Sequence, residues 1–266
     1  MDLLLAGSVA VVVGGARGLG HAIASAFLAE GARVAIVDRD ADGPAVADRL
    51  DKARCVGFVA DVTDYPAIRG VAEEIARTFG RCDHVVFAAG VGSGKFGFPF
   101  WSLEPGDWDR VVRVNLIGGV NVAHAFAPGL AEAKAGTMLF IASVAGQMGS
   151  QTDPPYSASK AGLINFAQCA AKDLAPHGVR VNSLCPGMVK TVLNKAVYES
   201  WAARQPEGSR RSYDDWADEK VRVLVPLQRW QTPEDVAAMA VFLASDKAKN
   251  VTGQTINVDG GYVMHS

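Results

Sequence analysis

The sequence predicts an α/β fold: a single doubly wound parallel sheet of about seven strands, with helices on both faces. Three observations predict it. Short β-rich apolar runs alternate with longer amphipathic stretches from one end of the 266-residue chain to the other. The runs are continuously apolar rather than alternating, as strands covered on both faces must be. No Pro/Ser-rich linker, composition break or internal repeat interrupts the series, so one domain over 1–266 is expected.

The first run, "VAVVV" (9–13), leads through a glycine-rich turn into a helical pattern over 21–30. "RVAIVD" (33–38) and a helix over 42–50 follow, then "CVGFVAD" (55–61) and a helix over 66–79 that begins just after Thr63, a capping residue type. "HVVFAAG" (84–90) precedes a long helical pattern over 107–131, and "TMLFIAS" (137–143) precedes another over 157–175. "VRVNSLCPG" (179–187), a helix over 233–245 opened by Thr232-Pro233, and "QTINVDGG" (254–261) complete the set. The stretch 189–225 fits none of this periodicity. It is helical-looking at "TVLNKAVYESWAARQ" and polar at "EGSRRSYDDWADEK", and an insertion of that length beside a site is expected to serve as a lid.

Hydrophobic residues make up 49% and charged residues 20% of the chain, which suits a large core and excludes disorder. The formal net charge is −2 without a basic stripe, so a small molecule rather than nucleic acid is the expected partner. Cys55, Cys82, Cys169 and Cys185 form no CxxC pair and the five histidines no HxxxH pattern; no metal site is expected, and the cysteines read as buried apolar residues of a cytoplasmic protein. Asp2 stands where a signal peptide would carry positive charge, and no segment is expected to reach the roughly eighteen apolar residues of a membrane span.

"VVGGARGLGHAIASAFLAEGARVAIVDRD" follows the first strand directly. Gly14, Gly18 and Gly20, with Arg17 and Leu19 between them, sit where absent side chains let backbone N–H groups and a helix N-terminus meet a pyrophosphate, the Rossmann-type arrangement. About twenty residues on, Asp38 ends the second strand, where a carboxylate can accept both hydroxyls of an adenosine ribose. It would repel the 2′-phosphate of NADP, whereas Arg17 or Arg39 could attract it; the strand-end acid is weighed more heavily, and NAD is the expected cofactor, with NADP second.

Tyr156 and Lys160, in "DPPYSASKAG", share a helix face at i and i+4. Lowering a phenol from a pKa near 10 by two to three units takes about 3–4 kcal/mol. An ammonium about 5 Å away supplies on the order of 3 kcal/mol at an effective dielectric of about 20, before desolvation takes some back.

The spacing G-x-x-x-G-x-G, "WDRVVRVNLIGG" with Asn115, "IASVAG" with Ser143, "YSASK" with Tyr156 and Lys160, "VRVNSLCPGMVKT" and "VTGQTINVDGG" occur in order. Together they resemble the short-chain dehydrogenase/reductase superfamily over nearly the whole chain. The resemblance implies that Tyr156 is the general acid/base between a secondary alcohol and a ketone while hydride moves to or from the nicotinamide. Lys160 would tune the phenol and bind the nicotinamide ribose, Ser143 would hold the reacting oxygen, and Asn115 would anchor a relay water. Asp61 and Val62 match the adenine-binding pair, Ala89 and Gly90 the turn under the cofactor, and Pro186, Gly187, Val189 and Thr191 the segment that holds the carboxamide. A homotetramer through the helices 107–131 and 157–175 is implied as well.

One departure stands out: the usual N-N-A-G after the fourth strand reads Phe87-Ala88-Ala89-Gly90, so backbone or water is expected to serve the groups those asparagine amides would meet. Val13 likewise replaces the usual threonine. Phe96, Phe98, Phe100, Trp101 and Met148 are expected to wall the substrate side, with Gln147 and Asp153 as polar contacts, and the closing segments are similar to those of polyol- and acetoin-type members. A serine hydrolase fails because "IASVAG" lacks the elbow glycines, and a P-loop NTPase because Phe96 stands where Ser/Thr would hold magnesium. A non-enzymatic dinucleotide sensor, an NADP-dependent carbonyl reductase, and an enzyme using the Tyr–Lys pair for dehydration or epimerisation remain as alternatives.

Overall fold

The computed structural model describes residues 2–96, 99–150 and 152–264. Its seven strands are β1 (Val9–Val13), β2 (Arg33–Asp38), β3 (Cys55–Val59), β4 (His84–Phe87), β5 (Gly136–Ile141), β6 (Val179–Pro186) and β7 (Thr255–Val258). They form one sheet in the order β3-β2-β1-β4-β5-β6-β7, and every pairing is parallel. The order reverses between β1 and β4, where a parallel sheet opens a crevice at the C-terminal strand ends.

The continuous apolar runs have a direct physical reason. Ala10 and Val12 of β1, with Val34 and Ile36 of β2, face one helical layer, while Val11, Val13, Ala35 and Val37 face the other. The first layer holds α1 (Gly18–Ala29), α2 (Gly43–Asp51) and, near the end of the chain, a helix over Pro233–Ala244. On the opposite face lie α3 (Tyr65–Phe79), α5 (Gly118–Ala133) and α6 (Pro154–Leu174), with α4 (Gly106–Val112) seated on α6.

Several expectations change. The long helix over 107–131 is interrupted by a π turn at Arg113–Ile117, and Gly118 N–H reaches back to Arg113 C=O. The stretch Gly106–Ala133 is also long and apolar enough to match a membrane span by composition, contrary to the expectation; Val122, Phe126 and Leu130 bury against the sheet side instead. The excursion is more regular than its polarity implies: α7 (Val192–Ala202) and α8 (Tyr213–Leu224) stand before α9, the Pro233–Ala244 helix. Tyr198, Trp201, Tyr213 and Trp216 pack between α7 and α8, with Tyr198 5.4 Å from Tyr213 and 5.5 Å from Trp216. Cys169 is exposed and Cys82 only half-buried, so just Cys55 and Cys185 are the core residues expected.

Five runs extend past their strands: 55–61, 84–90, 137–143, 179–187 and 254–261 stop pairing at Val59, Phe87, Ile141, Pro186 and Val258. The residues left beyond the ladder include Asp61, Ala89, Gly90, Ser143 and Gly187, all expected site residues. Leaving the ladder at the C-terminal edge turns their backbone and side chains toward the crevice.

Candidate active site

The glycine turn shows why those positions lack side chains. Gly14 has φ +83, and a Cβ there would lie 2.6 Å from Ala89 N; one on Gly20 would meet Gly14 O. Gly18, at φ +57, faces open space. α1 begins after an extended Arg17 without a side-chain cap, whereas α3 and α6 to α9 are each capped by their own Asp, Ser or Thr. An uncapped helix start beside a glycine cradle is a fit for the pyrophosphate of a dinucleotide.

Asp38 is buried at the end of β2, where Oδ2 accepts from Ala16 N (3.0 Å) and Oδ1 from Asp40 N (3.2 Å). The carboxylate therefore shapes the glycine turn as well as offering its remaining lone pairs outward. Arg17 pairs with Asp40 at 2.9 Å and Arg39 approaches it at 3.9 Å, so one acid engages both arginines. Asp61 Oδ1 accepts from Thr63 N and Oγ, and these hydrogen bonds hold its carboxyl below the usual range. Val62 is buried beside Gly118, and its carbonyl accepts from Asn121 (2.8 Å), a brace that the sequence motifs did not single out.

At the end of β5, Ser143 caps a short turn by accepting from Ala145 N (3.1 Å). Tyr156 stands on the first turn of α6 and Lys160 one turn later, its ammonium 5.7 Å from the ring centroid. Lys160 is buried and donates to Ile141 C=O at 2.7 Å. Gly90 closes the group: a Cβ there would sit 3.3 Å from Lys160 Nζ and 3.6 Å from Asn115 Oδ1.

The expected depression of the phenol is overturned. Burial pushes Tyr156 up to about 12, only partly opposed by the Ser143 hydroxyl, and burial pushes Lys160 down to about 8. Burial penalises the phenolate, and the negative charge of Asp153 adds to that penalty. The phenol holds its proton at neutral pH and stands as a donor.

Asn115, fully buried in the π turn, is saturated by protein: Oδ1 accepts from Val91 N (2.8 Å), and Nδ2 donates to Val91 O (2.9 Å) and Ser159 Oγ (3.0 Å). Its side chain clamps the loop after β4. Phe87 and Ala88 need no amide substitutes: Phe87 is buried 6.2 Å from the Phe140 ring, and Ala88 N donates to Val13 O (2.8 Å). Packing has taken over from polar bridging. Pro186 ends β6, Gly187 lies against the backbone of Asp259, Val189 bridges to Gln231, and Thr191 caps α7.

On the substrate side, Phe100 and Trp101 are exposed, edge to face at 5.3 Å, and Met148 is exposed too; Phe98 lies outside the described residues. Phe96 C=O accepts from Arg204, just beyond α7, which ties the excursion to this loop. Gln147 donates to Asn257 Oδ1 at 2.7 Å. Asp153, the other expected polar contact, is buried, capping α6 and holding Ser93 N. Its spacing, Asp-Pro-Pro-Tyr, carries the signal of an N-cap followed by early prolines.

Comparison with known proteins agrees with this architecture. A family model described as enoyl-(acyl carrier protein) reductase matches residues 14–263. D-threitol dehydrogenase of Mycolicibacterium smegmatis is 35% identical over 99% of this chain and 95% of its own length, and (3R)-3-hydroxyacyl-CoA dehydrogenase of Mus musculus is 34% identical over 99% of both. Sorbitol-6-phosphate 2-dehydrogenase of Escherichia coli is 35% identical over 96% of this chain and 98% of its own. The crystal structure of gox2181 superposes with a TM-score of 0.84 at 29% identity, covering 98% of this chain and 97% of that one. With the sheet order, the glycine cradle and the Ser–Tyr–Lys group already established, these matches make the chain a member of the short-chain dehydrogenase/reductase superfamily of oxidoreductases.

Proposed function

We propose that the protein interconverts a secondary alcohol, with a polyol as the favoured class, and a ketone, using NAD. The observation that carries this is the half-buried Tyr156 phenol next to the Ser143 hydroxyl, with the buried Lys160 ammonium 5.7 Å from its ring and Gly90 beside that ammonium. The dinucleotide, when bound, supplies or accepts the hydride. Gly14, Arg17, Gly18, Leu19 and Gly20 would hold its pyrophosphate, Asp38 its adenosine ribose, Asp61 and Val62 its adenine, and Ala89 and Gly90 would line the floor beneath it. Lys160 would bind the nicotinamide ribose, while Pro186, Gly187, Val189 and Thr191 would fix the carboxamide and so the face presented.

In the reduction direction, Ser143 holds the carbonyl oxygen and Tyr156 Oη gives it a proton; in oxidation the same oxygen must first be deprotonated, and as phenolate it takes the hydroxyl proton. Lys160, anchored on Ile141 C=O, keeps a positive charge under this exchange up to about pH 8. Asn115 acts here by fixing Val91, and with it the loop beside the reacting atoms. The preference for NAD is supported by Asp38 at the strand end and by the engagement of Arg17 and Arg39 with Asp40. The 189–225 excursion is read as a lid, its two helices joined by the Tyr198–Trp216 cluster. We read the protein as a homotetramer assembled through α5 and α6 by resemblance; a cytoplasmic location rests on the unpaired cysteines.

The test is reduced-nicotinamide absorbance with D-threitol, sorbitol 6-phosphate and acetoacetyl-CoA, each with NAD(H) and NADP(H). Turnover of the polyol with a preference for NAD is expected. Cofactor binding without any turnover would leave a dinucleotide sensor, and turnover of acetoacetyl-CoA alone with NADPH would leave a carbonyl reductase.

A further inference from the structure

Asp153 is only 5% exposed, so its carboxylate has given up nearly all its water for a few hydrogen bonds. The two oxygens point to different parts of the molecule. Oδ1 accepts from Tyr156 N at 3.4 Å and caps α6; Oδ2 accepts from Ser93 N at 2.9 Å, across 60 residues of sequence. A cap requires one acceptor, and Thr191, Ser212 and Thr232 cap their helices with a single hydroxyl. The second oxygen of Asp153, and its burial, are therefore not explained by capping.

The loop it reaches is held at four residues. Asn115 takes both backbone groups of Val91, Arg110 donates to Gly92 C=O at 2.9 Å, Asp153 takes Ser93 N, and Asp107 takes the Lys95 ammonium at 2.8 Å. Asn115 also bonds Ser159, in the second turn of α6. Asp153 makes the corresponding link at the first turn, directly under Tyr156.

We propose that Asp153 is a positioning residue: one buried carboxylate sets the spacing between the substrate loop at Ser93 and the turn of α6 that carries Tyr156. The loop that recognises the alcohol and the group that moves its proton then share one register. The kinetic part of this proposal rests on the oxidoreductase reading above; the structural part does not.

Two variants separate linking from capping. Asp153→Ser keeps a hydroxyl that can cap α6 but is too short to reach Ser93 as well; Asp153→Asn keeps the size and offers a single acceptor oxygen for two N–H groups. Hydrogen exchange of residues 91–95 is expected to accelerate about tenfold in Asp153→Ser and less in Asp153→Asn, with the first turn of α6 unchanged in Asp153→Ser. With D-threitol, or the member of the panel that turns over, the alcohol KM should rise about tenfold while kcat and the dinucleotide KM stay within about twofold. Unchanged loop exchange in both variants overturns the proposal, as does a fall in kcat with the alcohol KM unmoved. If Asp153→Ser does not fold, Asp153→Asn carries the same criteria. A wild-type protein that oxidises no alcohol defeats the oxidoreductase reading alone, and loop exchange then decides the link.

Discussion

Lys160 donates its ammonium to the backbone carbonyl of Ile141, 2.7 Å away, at the last paired residue of β5 and two residues before Ser143. A strand end and a helix turn are thereby joined at the point where the reacting oxygen is expected. The charge is buried, and no carboxylate among the described residues pairs with it, so the protein carries an electrostatic cost where its chemistry is proposed.

Lys160→Met should therefore lose activity and gain stability. The folded ammonium titrates at about 8 against an unfolded value of 10.5, so the unfolded chain binds more protons between those limits. The cost is complete below pH 8 and fades as pH rises to 10.5, giving the variant roughly 3 kcal/mol more stability at pH 7 and little at pH 10.5. Urea unfolding at both pH values checks this; an equal difference at each would sink the argument.

Tyr156→Phe removes the proton donor and leaves the ring. kcat should fall by about 10²–10⁴ while the dinucleotide Kd, measured by fluorescence titration, changes less than about twofold. Retention of most of kcat would refute the assigned role.

Asp38→Ala and Asp40→Ala should act on cofactor choice by different routes. The first removes the proposed ribose acceptor and should narrow the NAD preference. The second releases Arg17, now 2.9 Å from Asp40, and should improve NADP binding about tenfold without weakening NAD comparably. Identical NAD to NADP ratios in wild type and both variants would undo the specificity argument.

His84 is stacked on Phe27 and hydrogen-bonded to Thr137 Oγ at 3.0 Å. Burial pushes its imidazole down to about 4, with Asp83 and Asp246 opposing and Arg180 and Arg81 adding. Between about 4 and the usual 6.5 the unfolded chain binds the extra proton, so stability should fall by roughly 3 kcal/mol as pH drops through that window. His84→Gln should flatten the slope; an equally steep slope in the variant would assign the acid sensitivity elsewhere.

Phe87→Asn restores the residue type usual in the family. Placed among Phe140, Val122 and Leu163, it should cost about 3 kcal/mol in thermal or urea unfolding, from a cavity and an unsatisfied amide together. Unchanged stability would show that polar partners remain for it there.

What the chain reveals before folding is what local chemistry decides. Gly14, Gly18 and Asp38 announce their turn because positive φ and a strand-end acid are local requirements, and β1 is legible because both its faces are apolar. The phenol's shift is not legible in the sequence: it follows from the burial that the fold creates around Tyr156 and from the hydroxyl that Ser143 brings from the end of β5. The burial of Asp153 is a tertiary property and is not legible in the sequence, although the two prolines after it mark a helix start. α8 was obscured by its polarity, yet Ser212 with Asp215 three residues on is a capping pattern, and buried Trp216, Ala217 and Val221 define its inner side.

The π turn at Arg113–Ile117 bears on how this chain could change. Such a turn holds one residue more than a regular helix would need, and each residue rotates a helix by about 100°. Deleting one residue there would yield a straighter helix while swinging Asn115 away from Val91 and Ser159. The number of residues between the β4 loop and α5 is thus constrained more tightly than their identities. Redesign for better helix formation would erase the irregularity first, and with it the hold on the loop.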